Sequence, residues 1–338
     1  AKAFKYMNLA ILTQQLRHNL KTREWKTLEE LEPLDPLDVH DSDTWPKQGL
    51  GQWYPFQIGF ILACIEGVVK TDSDERNWVD TLWFPTGGGK TEAYLGLTAF
   101  TIFDRRLKKK NNGGTVALMR YTLRLLTTQQ FQRAASLITA CETIRRNEPE
   151  LGSIPISIGL WVGNSASPNR RDSSTPGYPG AKQLLDKLWI APDRNKNPFI
   201  VLKCPWCGAR MGPVMFKSNN SNSTSYEIKG YKRQRLENQK YSVVFICGDA
   251  DCEFSNNDSR LPIYVIDEDI YDFPPSLIIG TVDKFASIPF KSDCHSIFGI
   301  GSENSPPELI IQDELHLISG PLGSMVGMYE TLVDGLCE

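Results

Sequence analysis

The chain has 338 residues, 41% of them apolar and 23% charged, with a net charge of −3. That is enough chain for one large or two medium domains with a substantial core, and no apolar run is long enough to span a bilayer. The near-neutral balance gives no general attraction to a polyanion, so any nucleic-acid contact has to come from local basic clusters.

In chain order, the opening AKAFKYMNLAILTQQLRHNL spaces its apolar residues as a helix does. Charges interrupt it, unlike the unbroken core of a signal peptide. An acidic, proline-punctuated stretch follows, LEELEPLDPLDVHDSDTWP, so residues 1–50 read as a helical and linker extension. With no secretion signal, a cytoplasmic protein is expected.

Beyond this, short apolar runs alternate with longer helical patterns. Val79 to Phe84, Thr115 to Met119, Ile156 to Val162, Leu277 to Gly280 and Leu309 to Ile311 read as buried strands. Lys90 to Leu107 and Leu125 to Arg146 read as helices. Strands apolar on both faces, alternating with helices, imply an α/β fold: an open parallel sheet with helices on both sides.

Where the first strand ends and the first long helix begins stands Phe84-Pro85-Thr86-Gly87-Gly88-Gly89-Lys90-Thr91. Glycines accept positive φ and let backbone N–H groups close on a polyphosphate, and the helix start adds its positive dipole end. Lys90 is suited to the β and γ phosphates of ATP and Thr91 to Mg²⁺. The pattern departs from G-x-x-x-x-G-K-[ST] at Phe84, and its spacing follows A-x-x-G-x-G-K-T instead.

Residues 165–262 break the alternation. They open with SASPNRRDSSTPGYPG and contain KSNNSNSTS, the composition of surface loops. We read them as an insertion between two parts of the sheet domain, residues 51–164 and 263–338. Four of the eight cysteines fall here in two tight pairs, Cys204/Cys207 and Cys247/Cys252, each after a strand-like run. That is the pattern of a Cys₄ zinc ribbon, with four thiolates closing a structural Zn²⁺ and leaving no open position. The scattered Cys64, Cys141, Cys294 and Cys337 read as core thiols.

Near the end, the apolar Leu309-Ile310-Ile311 runs into Gln312-Asp313-Glu314-Leu315-His316. A phosphate loop hydrolyses nothing without a carboxylate at a neighbouring strand end. Asp313 is placed for Mg²⁺, Glu314 for the attacking water, and His316 for linking the site onward.

PTGGGKT together with DELH resembles the nucleotide-binding motifs of superfamily 2 helicases and translocases. The resemblance implies a RecA-like P-loop NTPase lobe. It also gives Gln57, in WYPFQ, the role of holding the adenine edge. By the same resemblance, Arg120 and Arg124 in RYTLRLL, and Thr281 and Lys284 in GTVDKF, would hold one nucleic-acid strand by its phosphates. More narrowly, PPSLIIGTVDKFA with IIQDELHLISGPLGS resembles the helicase subunit of DISARM antiphage defence systems, over the sheet domain from about residue 53 onward. It implies DNA as partner, as a single strand or a duplex with a single-stranded end, together with a companion defence subunit and no membrane.

Such a motor needs a second RecA-like lobe. None follows His316 within this sequence, so the chain reads as the first lobe of a larger or split enzyme. Of the basic clusters, RRLKKK at residues 105–110 ends a helix, where cations suit the dipole, and Arg170-Arg171 is short. KGYKRQR, with Lys232 and Arg233, is the better nucleic-acid candidate. Two other readings are open: a P-loop ATPase that remodels protein complexes without nucleic acid, and a non-catalytic DNA-binding module.

Overall fold

The computed structural model describes residues 1–34, 50–83, 88–122, 124–163, 166–173, 175–192, 197–217, 224–318 and 320–337. Its frame is a five-stranded parallel sheet made of β1 (Ala117–Tyr121), β2 (Ile158–Trp161), β7 (Ile263–Tyr264), β8 (Leu277–Thr281) and β9 (Leu309–Gln312), in the order β7-β2-β8-β1-β9. β8 lies centrally, and β1 sits between it and β9, with Leu118 opposite Ile278 on one side and Ile310 on the other.

Alternation along these strands divides the core in two. Ala117, Met119, Leu277 and Ile279 point to one face, packed under α3 (Lys90–Lys108) and α4 (Arg124–Asn147). Leu118 and Ile278 point to the other, with Trp161, against α6 (Asp267–Asp272), α7 (Val282–Phe285) and α8 (Gly320–Cys337). A sheet covered on both faces needs apolar residues at successive positions, and all five residues of β1 and of β8 are buried.

α1 (Lys2–His18) forms an outer layer on α3 and α4. Its buried Ala3, Tyr6, Met7, Ala10, Ile11 and Gln14 repeat at three- and four-residue steps along one stripe. Full burial of Met7 and Ile11 is worth about 1.5–3 kcal/mol each. α1, the first part of the expected extension, is thus part of the core.

Two expectations change. Val79 to Phe84 reads in sequence as a buried strand; Phe84 lies outside the described residues, and Val79 to Trp83 pairs with none of the described strands, with Val79 and Trp83 almost fully exposed. Among the described residues β9 is therefore an edge strand. Arg105 and Arg106, read as a charged helix end, are buried. Arg105 pairs with Glu308 at 2.8 Å and donates to the Thr115 carbonyl, so the interior supplies the acceptors that solvent would have given.

Residues 165–262 contain α5 (Ala181–Ile190) and two antiparallel hairpins, β3–β4 (Gly212–Lys217, Thr224–Lys229) and β5–β6 (Tyr231–Arg235, Tyr241–Phe245). Their core is continuous with that of the sheet: Phe199, Tyr231 and Phe245 pack together and join the cluster beneath α3 and α4. Among the described residues no helix is long and apolar enough to cross a membrane.

Candidate functional site

Thr86 and Gly87 lie outside the described residues. Gly88, Gly89, Lys90 and Thr91 stand half-buried at the start of α3. Gly89 caps the helix with φ 89°, a left-handed conformation that glycine takes without strain. A Cβ there would come within 2.8 Å of the Gln57 amide nitrogen. That amide is fixed at both ends. Its nitrogen donates to the Gly89 carbonyl at 2.8 Å, while its oxygen accepts the Tyr54 N–H at 2.8 Å and so caps α2 (Pro55–Val69). Gln57, given the adenine edge in sequence, here holds the glycine turn to α2. The N–H groups of α3's first turn have no acceptor within the helix, an arrangement able to hold an anion.

Across from Thr91 is the end of β9. The Asp313 N–H donates to the Arg120 carbonyl at 3.1 Å, and the Gln312 amide donates to the Asp313 carbonyl at 2.8 Å, so the turn is tied to β1. One carboxylate oxygen of Asp313 accepts the Glu314 N–H at 2.9 Å. The other accepts the Tyr94 hydroxyl at 2.8 Å, and that same hydroxyl lies 3.1 Å from Thr91 Oγ1. Thr91 and Asp313, predicted separately, therefore converge on one phenol. Both present hard oxygen ligands, the donor chemistry that Mg²⁺ takes.

Tyr94 was missed in the sequence. The available signal was its position three residues after Thr91 on a helix, which places the two side chains on one face. Burial pushes its hydroxyl well above the ordinary tyrosine range, as do the neighbouring Tyr121 and Asp313.

Glu314 has φ 51°, one of three non-glycine residues with positive φ among those described. Such backbone strain concentrates at functional turns. Its carboxylate reaches His316 Nδ1 at 3.2 Å, and the His316 side chain is exposed.

The cysteines meet. Cys204, Cys207, Cys247 and Cys252 are all buried, with their sulfurs within 4.8 Å of one another. The 204–252 and 207–247 pairs are 3.9 and 3.4 Å apart. A tetrahedral Zn²⁺ with Zn–S bonds near 2.3 Å sets its sulfurs about 3.8 Å apart, so the cluster fits a closed metal site. Gly208, with φ 76°, turns the chain so that the Cys204 N–H reaches the Ala209 carbonyl at 2.8 Å. The second pair is closed by the Cys247 N–H on the Phe254 carbonyl, also at 2.8 Å. Burial raises the Cys204 thiol, whereas hydrogen bonds from its neighbours hold Cys207 well below the usual thiol range. The surroundings come from the N-terminal segment: Arg17 lies 4.1 Å over the Trp206 ring and Arg23 pairs with Asp249 at 2.7 Å.

Of the residues expected at a nucleic-acid strand, three are interior positions. Arg120 is ion-paired to Glu330 of α8 and lies over Phe285. Lys284 pairs with Asp267 beside Trp161. Thr281 is buried at the end of β8. The inside of the fold offers these two cations carboxylates, so they turn inward rather than to solvent. The side chain of Arg124 lies outside the described residues. Lys232 and Arg233 are exposed on β5, with the Arg233 guanidinium 5.5 Å from the Tyr241 ring centre.

No protein-family model matches the chain. Compared with curated proteins, it is 35% identical to the DISARM protein DrmA of Bacillus paralicheniformis over 99% of its own length. It spans only 30% of the length of that relative. An α/β sheet, a glycine turn facing an acidic strand end, and this similarity together make the chain a DrmA-like sequence over nearly its whole length.

Proposed function

We propose that the chain is the first lobe of an ATP-dependent motor of the superfamily 2 helicase and translocase type, engaging DNA in DISARM-type defence. The observation that carries this reading is the convergence of Thr91, from the glycine turn, and Asp313, from the β9 end, on the Tyr94 hydroxyl. The backbone N–H groups of Gly87, Gly88 and Gly89 cradle the phosphates, with Thr86 completing the loop and Lys90 neutralising the β and γ groups. Thr91 and Asp313 hold Mg²⁺, which when bound offsets the charge developing on the transferred phosphoryl group.

Glu314, next to Asp313 on the strained turn, orients and deprotonates the attacking water. His316, paired to Glu314, relays the state of the site to the surface. Gln57 keeps Gly89 in place and offers the nucleotide a fixed amide edge. The arginines that stabilise the γ-phosphate come from a second RecA-like lobe. Lys232 and Arg233 supply an exposed basic face for the DNA backbone, and the DISARM relationship supports a companion defence subunit as partner.

The test is ATP hydrolysis with and without single- and double-stranded DNA and RNA. Glu314→Gln is expected to lower turnover by about 10²–10⁴, the range for losing a general base. Turnover that responds to DNA and collapses in this variant supports the motor. Full turnover indifferent to any polymer would instead favour a protein-remodelling ATPase.

A further inference from the structure

The Tyr94 hydroxyl stands between the two oxygen ligands of the site, and we propose that it is a positioning residue. It aims the lone pairs of Thr91 at the divalent cation and holds the Asp313 carboxylate within reach of the cation's water shell. This rests on the motor reading above, in which Thr91 and Asp313 serve the metal.

A phenol has one proton to give. The Tyr94 ring is buried in the core beneath α3, and its hydroxyl donates to Asp313 Oδ2 at 2.8 Å, a charge-assisted bond. With that proton committed, the oxygen facing Thr91 Oγ1 at 3.1 Å can only accept, so Thr91 donates. A threonine hydroxyl donating toward the helix interior keeps its lone pairs for the opposite side, where a metal takes them.

The geometry is set by the fold itself. Thr91 and Tyr94 are fixed one turn apart on α3, and the second oxygen of Asp313 is pinned by the Glu314 N–H at 2.9 Å. Tyr121, from β1, is buried on the inner side.

The experiment is a binding titration on the full polypeptide that carries this sequence. Fluorescence of a mant-labelled ATP is followed with increasing MgCl₂ and, separately, in EDTA. The proteins are wild type, Tyr94→Phe, Thr91→Ala and the double variant, each below its measured melting temperature. Tyr94→Phe keeps the ring and removes only the hydroxyl. It is expected to raise the MgCl₂ needed for half-saturation about tenfold while changing EDTA binding by less than about twofold, the loss of one charge-assisted hydrogen bond. The double variant should be no worse than Thr91→Ala alone, since the two side chains act in one chain.

An unchanged MgCl₂ dependence in Tyr94→Phe overturns the proposal. So does an equal loss in MgCl₂ and EDTA, which would mark a purely structural role. Additive losses in the double variant also overturn it. Absence of magnesium-dependent binding in the wild type would overturn the motor reading itself, a result distinct from these.

Discussion

Gly89 shows how much one residue's missing side chain can carry. Its φ of 89° costs an L-residue about 1–2 kcal/mol, and the Gln57 amide that a Cβ would strike is held at both ends. Gly89→Ala is therefore expected to destabilise the fold by about 1–3 kcal/mol, read as a lower urea midpoint, and to weaken nucleotide binding further. The nearness of the glycine turn and the acidic strand end could be anticipated in sequence, because each is a short motif at the junction of two elements. Tyr94 could not be, because a tyrosine inside an apolar helical pattern looks like packing until the strand opposite it is known. Arg105 and Arg106 failed to announce themselves for a related reason: their acceptors, Glu308 and the Pro155 carbonyl, lie far along the chain.

Among the elements, β1, β2, β8 and β9 and helices α3 and α4 fall within two residues of their sequence assignments. β1, β2 and β8 are fully buried runs whose neighbours impose a single state, whereas β9 is a partly exposed edge strand. Val79 to Trp83 has the same apolar character, but composition reports propensity, whereas a strand also needs a partner edge. The cysteine pairs were legible because their ligand spacing is nearly independent of what surrounds them. Their role is testable directly: the purified protein should carry one Zn²⁺ per chain by elemental analysis. Cys207→Ser, or dialysis against a strong chelator, should lower the metal content and the melting temperature together, since binding energy at a closed four-thiolate site is folding energy. Loss of the metal without any change in melting would argue against a structural site.

Across the whole molecule, one core cluster spans the boundaries that composition suggests. That core runs from Ala3 to Ile279 and takes in Phe199, Tyr231 and Phe245 of residues 165–262. His18 sits at one of its seams. Burial lowers its pKa to about 4, helped by the nearby Arg133 and Lys203 charges, although a helix C-terminus alone would favour the cation. The unfolded chain then takes up the proton first, near pH 6.5, and the folded chain only near 4, so stability is full above 6.5 and falls as pH drops toward 4. Asp269, raised to about 6 by burial, works in the opposite direction, since its contribution is present at low pH and lost as pH rises. The informative quantity is thus a difference. The wild-type melting temperature should fall more steeply than that of His18→Gln between pH 7 and pH 5, and parallel curves would refute the assignment.

The same seam has a consequence in time. Arg17 donates to the Trp206 carbonyl 189 residues further along. At about 5–20 residues per second, the ribosome leaves the end of α1 without this partner for roughly 10–40 s. Folding dominated by such distant contacts is slow. The end of α1, made well before this part of the core it joins, is where a chaperone has a long opportunity to bind.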